Sequence, residues 1–415
     1  LFATAEPALA LHSLADGSQR ARVDGVGASW VALEVIPKRG AAVALAHNGR
    51  GAIVELDSGA VLASLELAPE SFNRVRSDSQ GRWLLVSSAQ LARASALRAN
   101  EAVVLDARDG TLLATLAGHA DAIADSDVSP DGSLAATASL DGSVRLWRLP
   151  SGEPHGEPLE HDVPLSCVRF TRDGQALVVG TDEPGGTART LRWQLATRVA
   201  TVLPTALGDR VQSLDISNLD GSILAATRDP GLALWTSEGV PRRTLSERVL
   251  PVSSRWTHDG RRVVTHGLAP YALVWWSENR PDIYTLDGHE GAIQHVELSP
   301  TGQQALTVSL DGSARLWHTP RRADGRGEHP YGAELARVGD LGAEAAVACF
   351  APNGRALAIL RDGRAGWLAA NGTFEVFADA GVDASELLFE PAASEPRFLV
   401  RREDGTALLW NDARF

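Results

Sequence analysis

The stretch from Leu116 to Arg148 reads LAGHADAIADSDVSPDGSLAATASLDGSVRLWR. It contains three short apolar runs separated by two turns, Asp131-Gly132 and Asp141-Gly142. Because Asp-Gly tolerates the positive φ that tight hairpins require, the pattern predicts three antiparallel strands in a meander. The same unit recurs at 286–318 as LDGHEGAIQHVELSPTGQQALTVSLDGSARLWH, so the chain is a repeat protein.

The two copies agree in the spacing of their polar residues. In each copy a Ser follows the His by 20 positions, an Asp by 22 and a Trp by 28. The Gly-His start and the Trp near the end resemble the WD-repeat family, in which such residues form a hydrogen-bonded tetrad within each blade. The resemblance implies two structural tetrads, His119–Ser139–Asp141–Trp147 and His289–Ser309–Asp311–Trp317, and a partial one, His161–Thr181–Glu183–Trp193.

The repeat period predicts the architecture. The two clear copies begin 170 residues apart, which holds four periods of about 42 to 43 residues, the blade length of this family. Residues 28–378 then supply eight whole units, and 382–411 supply three strands without a fourth. Because repeats bury their faces only against neighbours, we expect an N-terminal strand within 8–24 to complete the last unit.

The predicted fold class is therefore all-β, a closed β-propeller of four-stranded antiparallel blades that forms a single domain over 1–415. The arithmetic gives nine blades, with eight as the alternative, since seven is commonest in the family and eight is known. A part of a larger double propeller is a third possibility.

Composition restricts the class of partner. The net charge of −13 argues against non-specific binding to nucleic acid or to an anionic membrane surface. The two cysteines cannot form a disulfide framework, which favours a reducing, cytoplasmic location. The chain has no Met and begins with Leu1, so we expect a segment of a longer polypeptide. A single Lys among many Arg, with abundant Ala and Gly, indicates a GC-rich bacterial genome.

Motifs for chemistry are missing from the sequence. No Walker loop, G-x-G-x-x-G, C-x-x-C or H-E-x-x-H occurs, and no G-x-S-x-G elbow surrounds the Ser–His–Asp sets. The repeated Asp-Gly pairs lack the acidic spacing of a calcium loop and are explained as hairpin turns. We therefore expect no catalytic residue, no metal and no cofactor.

The function that the resemblance implies is recognition of other proteins, or of other domains of the same polypeptide, through loops on one face. We expect a non-catalytic interaction scaffold or sensor within a larger bacterial signalling, regulatory or defence protein. A propeller enzyme with its substrate at the channel mouth and a structural subunit of a multi-protein assembly are the alternatives. The candidate partner-binding residues lie in loops near first strands and second hairpins, and in the insertion 89–101: Asp121, Asp162, Glu183, Arg210, Arg228, Glu290, Arg361, Arg93 and Arg98.

Overall fold

The computed structural model describes most of the chain. The residues outside the description are 1–8, 13–18, 24–29, 47–48, 56–59, 68–73, 88–99, 184, 205–207, 209, 218, 228–230, 246–250, 257–261, 268–269, 277–282, 300, 320–333, 339–344, 351–353, 361, 363, 370–372, 380–383, 391–396, 403–406 and 412–415.

The regular secondary structure of the described residues is entirely β. The strands are β1 Leu9–His12, β2 Gln19–Val23, β3 Trp30–Ile36, β4 Ala41–Ala46, β5 Arg50–Glu55, β6 Val61–Glu66, β7 Arg74–Ser77, β8 Trp83–Ser87, β9 Ala102–Asp106, β10 Leu112–Leu116, β11 Ile123–Val128, β12 Leu134–Ser139, β13 Ser143–Arg148, β14 Leu159–Glu160, β15 Leu165–Phe170, β16 Ala176–Thr181, β17 Thr190–Gln194, β18 Val199–Val202, β19 Val211–Ile216, β20 Ile223–Thr227, β21 Gly231–Trp235, β22 Pro241–Leu245, β23 Pro251–Trp256, β24 Arg262–Gly267, β25 Tyr271–Trp276, β26 Ile283–Asp287, β27 Ile293–Leu298, β28 Gln304–Ser309, β29 Ala314–His318, β30 Glu334–Val338, β31 Ala345–Phe350, β32 Ala356–Leu360, β33 Arg364–Leu368, β34 Phe374–Asp379, β35 Ala384–Glu390, β36 Arg397–Arg402 and β37 Ala407–Asn411.

The chain divides into two compact units. Unit 1 comprises Leu1–Leu11 and Arg20–Leu214, and unit 2 comprises His12–Gln19 and Asp215–Phe415. Unit 1 contains four sheets of four antiparallel strands, each in sequence order: β3–β6, β7–β10, β11–β14 and β15–β18. Unit 2 contains three such sheets, β23–β26, β27–β30 and β31–β34, together with the antiparallel sets β20–β22 and β35–β37. The prediction of an all-β chain built from four-stranded antiparallel meanders is confirmed.

The turns form where the Asp-Gly pairs predicted them. Gly132 and Gly142 have φ of 69° and 83°, values that a residue with a Cβ adopts at a cost. Asp131 supports the first turn, because its Oδ1 accepts hydrogen bonds from the Ser129 hydroxyl and from the Ser133 N–H at 2.6 and 2.9 Å.

The hydrophobic core lies between the faces of neighbouring sheets. In β12 every residue after the first is buried, whereas all four residues of the outer strand β18 are exposed. One core cluster of unit 1 joins Ala136 and Leu146 of one sheet to Val168, Leu177 and Trp193 of the next. A middle strand buried on both faces reads as a continuous apolar run, which is how these strands appear in the sequence.

Carboxylates on first strands join neighbouring sheets at one place in each unit. In unit 1, Asp127 of β11 accepts a hydrogen bond from the Phe170 N–H of β15 at 2.8 Å. In unit 2, Glu297 of β27 accepts one in the same way from the Phe350 N–H of β31 at 2.9 Å. These bonds hold first strands of adjacent sheets side by side within each unit.

Candidate interaction site

A relay of hydrogen bonds runs through the sheet β11–β14. The Trp147 indole N–H donates to Thr137 Oγ1 at 3.0 Å, and that hydroxyl lies 2.8 Å from His119 Nε2. On the other side of the ring, His119 Nδ1 lies 2.9 Å from Asp141 Oδ2. Because a carboxylate only accepts, Nδ1 carries the proton, and the neutral ring then accepts the Thr137 proton at Nε2. The relay therefore runs from Trp147 to Asp141 with every buried donor paired.

Asp141 connects this relay to the surrounding loops. Its two oxygens also accept hydrogen bonds from the Ala120 N–H at 2.9 Å and from the Ser143 N–H at 2.8 Å. Burial disfavours its charged form, but the bonds from His119 and Ser143 outweigh this, and the pKa of Asp141 is lowered. The ionised carboxylate thus ties the loop that precedes β11 to the turn between β12 and β13.

The sheet β27–β30 repeats the arrangement. Trp317 Nε1 donates to Thr307 Oγ1 at 2.8 Å, which lies 2.7 Å from His289 Nε2. His289 Nδ1 is 2.9 Å from Asp311, and the pKa of Asp311 is lowered although burial opposes the charge, since Ser313 and the Glu290 N–H bind it. Two independent sheets therefore carry the same relay.

The hydroxyl member of each tetrad differs from the sequence assignment. Ser139 Oγ donates to the Asp121 carbonyl at 2.9 Å and accepts from the Asp141 N–H at 3.1 Å, away from the ring. Ser309 makes the same bonds with Gly291 and Asp311. The assignment of Ser139 and Ser309 is wrong, because the strand register places the residue ten positions before the Trp beside its indole. That residue is Thr in both copies, a signal that was present in the sequence.

The partial tetrad is not assembled as a relay. His161 Nδ1 pairs with Asp162 at 2.9 Å, and its ring meets Trp193 edge-on with centroids 6.3 Å apart. Thr181 Oγ1 instead donates to Glu183 at 2.9 Å. By register, the position equivalent to Thr137 in this sheet is Val179, which offers no hydroxyl. The predicted set His161–Thr181–Glu183–Trp193 is therefore corrected.

Charged loop residues of unit 1 form a short ionic chain instead. The guanidinium of Arg189 bridges Glu183 at 2.8 Å and Asp162 at 3.2 Å, and the Asp162 side chain is 74% exposed. Nearby in the sequence, Arg210 pairs with Asp182 at 3.3 Å. Burial lowers the pKa of the His161 ring. The charge of Asp162 opposes this effect and the charge of Arg189 adds to it, so the pKa stays lowered. The sequence did not predict a role for Arg189 or Asp182, because only their ion pairs in the structure connect them to the candidate residues.

The remaining candidates are dispersed. Asp121 and Glu290 are exposed in the loops that precede β11 and β27, in different units. The other four candidates, Arg93, Arg98, Arg228 and Arg361, lie outside the described residues. The structure therefore brings together Asp162 and Glu183 through Arg189, and places Arg210 against Asp182.

The described residues also bear on two other classes of site. Within them, no group of three or more His, Cys, Asp or Glu side chains has the geometry to hold a metal ion. The same part of the chain contains no helix with the length and apolar character needed to cross a bilayer.

Comparison with known proteins supports the repeat assignment. The family model of the WD domain, G-beta repeat, matches residues 110–148 and 280–318. Protein HIR1 of Mycosarcoma maydis is 26% identical over 196 residues, which cover 46% of this chain and 17% of that protein. Eukaryotic translation initiation factor 3 subunit I of Emericella nidulans is 27% identical over 210 residues, covering 50% and 53%. Human transducin beta-like protein 2 is 23% identical over 269 residues, covering 60% of each chain.

A solved structure is similar in fold. The computationally designed Ika8 protein superposes with a TM-score of 0.56 at 16% identity, covering 84% of this chain and 96% of that one. At this identity the likeness concerns the fold alone. The two matched repeats and relatives of this kind support a resemblance to the WD-repeat family. It spans 17% and 53% of the length of the first two relatives.

Proposed function

We propose that this chain is a non-catalytic scaffold or sensor that binds other proteins, or other domains of its own polypeptide, through the loops leading into first strands and the loops of second hairpins. The observation that carries the proposal is the ionic chain Asp162–Arg189–Glu183, charged and partly open to solvent on a rigid sheet edge. Rigid sheets that display variable loops are a common basis for recognition. Two relatives are consistent with this role by name: a subunit of a translation initiation factor, and the serine-threonine kinase receptor-associated protein of Gallus gallus.

The proposal includes a closed β-propeller of nine blades. Support comes from the repeated four-stranded meanders within each unit and from the three-stranded set β35–β37, which a strand within 8–24 would complete. Paired cysteines introduced into 8–12 and 407–411 test closure, since they form a disulfide without loss of stability only if the two segments are neighbours. Failure of every pair to cross-link under oxidation would argue for open ends.

The proposal also covers the setting of the protein. A reducing, cytoplasmic location fits two free, buried cysteines, Cys167 and Cys349. Membership of a larger bacterial signalling, regulatory or defence protein stays a prediction, and the relatives reported above, which are eukaryotic, lend no support to a bacterial origin. Protein partners, rather than nucleic acid or membrane, fit the net charge of −13.

The test is capture of partners by the purified protein from a lysate of its own organism, with cross-linking and mass spectrometry. The double variant Asp162→Ala/Arg189→Ala removes the exposed part of the ionic chain. The control, Arg108→Ala/Asp109→Ala, removes the same two charges from the exposed β9–β10 turn of the same unit. We expect the first variant to lose at least one partner by tenfold or more and the control to retain it. Equal recovery with both variants and the wild type would refute a role for these loops.

A further inference from the structure

Three first strands of unit 1 bring five charged side chains together. Arg74 and Arg76 lie on β7, Asp125 and Asp127 on β11, and Arg169 on β15. Residues two positions apart in a strand point to the same side, so each pair faces the same space. These five residues are called the arginine cluster below, and the ionic chain of the loops is separate from it.

The two carboxylates of the arginine cluster already have partners. Asp125 forms ion pairs with Arg74 and with Arg169, the latter at 2.6 Å, and accepts the Val168 N–H at 3.1 Å. Burial disfavours its charge, but Arg169 and Arg74 outweigh the burial and lower the pKa of Asp125. Asp127 accepts the Phe170 N–H described above, and burial raises its pKa.

Arg76 is the member without a partner. Its Nε is buried and has no hydrogen-bond acceptor, and no ion pair joins its guanidinium to a carboxylate of the described residues. Burial and the charges of Arg169 and Arg74 lower the pKa of Arg76. Three cations face two anions; Asp125 is bound by the other two cations, and Asp127 by the Phe170 N–H. The charges of Asp125 and Asp127 offset part of the lowering of the Arg76 pKa, but the buried Nε loses hydration without gaining a hydrogen-bond acceptor, which is unfavourable for folding alone.

The arginine cluster is also reachable from solvent. The side chains of Arg74 and Arg169 keep 30% and 21% of their surface exposed, whereas that of Asp125 keeps 3%. Two of the cations are therefore more exposed than the carboxylate that they share.

We infer that the arginine cluster binds a carboxylate of an acidic protein segment, with Arg76 as its main contact and Arg74 and Arg169 beside it. The inference rests on the proposed function, because it names the chemistry of the partner. A guanidinium presents paired donors that match a carboxylate, and a bound carboxylate would balance the charge of the cluster. Phosphate offers the same oxygen geometry and serves as a small-anion probe.

Calorimetric titration at low ionic strength tests the inference. The probes are an eight-residue peptide with four Glu, the same peptide with four Gln, and inorganic phosphate. We expect the Glu peptide to bind the wild type and the Gln peptide not to bind. Arg76→Gln should raise the Kd at least tenfold, about 1.4 kcal/mol. Arg76→Lys keeps the charge but loses the paired donors, so its Kd should rise less. Arg108→Gln, an exposed Arg of the same unit, should change the Kd less than twofold.

The variants also separate binding from stability. Circular dichroism confirms that each is folded, and a rise in melting temperature with the Glu peptide should occur in the wild type and in Arg108→Gln but not in Arg76→Gln. If phosphate binds and the Glu peptide does not, or if Arg76→Gln binds the peptide as well as the wild type does, the inference is overturned. The proposed function would survive that result if Asp162→Ala/Arg189→Ala still loses a captured partner.

Discussion

Replacing Thr137 by Val tests the relay of the sheet β11–β14 directly. Val has nearly the same shape as Thr but carries no hydroxyl, so the Trp147 indole N–H loses its acceptor and His119 Nε2 loses its donor. Both bonds are short, 3.0 and 2.8 Å, and Thr137, His119 and Trp147 are all buried. Water therefore cannot replace the hydroxyl.

The magnitude follows from the number of groups left unpaired. Each buried unsatisfied group costs about 1–3 kcal/mol, and the two share one hydroxyl, so we expect a loss of about 2–4 kcal/mol. Ser139→Ala is the matched control in the same strand. Its hydroxyl bonds only to the backbone groups of Asp121 and Asp141 in the adjoining loops, so we expect a loss of about 0.5–1.5 kcal/mol.

Native-state hydrogen exchange measures both losses locally, at the amides of β12 and β13, without assuming that the two units unfold together. The indole N–H resonance of Trp147, assigned with Trp147→Phe, provides a second measurement. It should move in Thr137→Val and stay in place in Ser139→Ala. A Thr137→Val protein within 0.5 kcal/mol of the wild type, with an unmoved indole resonance, would refute the relay.

Two further predictions concern unit 2. Trp235 is fully buried and its indole N–H has no partner among the described residues; the position equivalent to Thr137 in its sheet is Ala225. Ala225→Ser should supply an acceptor and stabilise the sheet by about 1 kcal/mol, which would raise the melting temperature. A lower melting temperature would mean that the site has no room for the hydroxyl. Burial raises the pKa of Glu297 to about 7 from 4.5, so the fold favours its protonated form. The stability that this group contributes is complete below pH 4.5 and is lost as the pH rises through 7. Glu297→Gln should remove this pH dependence and make the protein more stable above pH 7 by about 1–3 kcal/mol. Parallel pH–stability curves for the two proteins would contradict the assignment.

The strands and turns could be predicted because their causes are local. The Asp-Gly pairs require positive φ, and the apolar runs between them have the length of strands, so residues 116–148 indicate their own meander. The His, Asp and Trp of each relay were assigned through the resemblance to the WD-repeat family. The hydroxyl was misassigned because Thr137 and Ser139 lie two positions apart on one side of β12, and spacing does not distinguish them. The pairing of Ala135 with Trp147 across β12 and β13 decides in favour of Thr137.

The sequence by itself determined the repeating meander and its turns, because these depend on residues close together in the chain. Tertiary structure alone decided which charges meet between sheets. Arg76, Asp125 and Arg169 belong to three different sheets, and no local pattern connects them. Their proximity arises from packing one sheet on the next, and packing also removes the water that would otherwise solvate Arg76. A buried guanidinium Nε without a hydrogen-bond acceptor is therefore a property of the assembled unit.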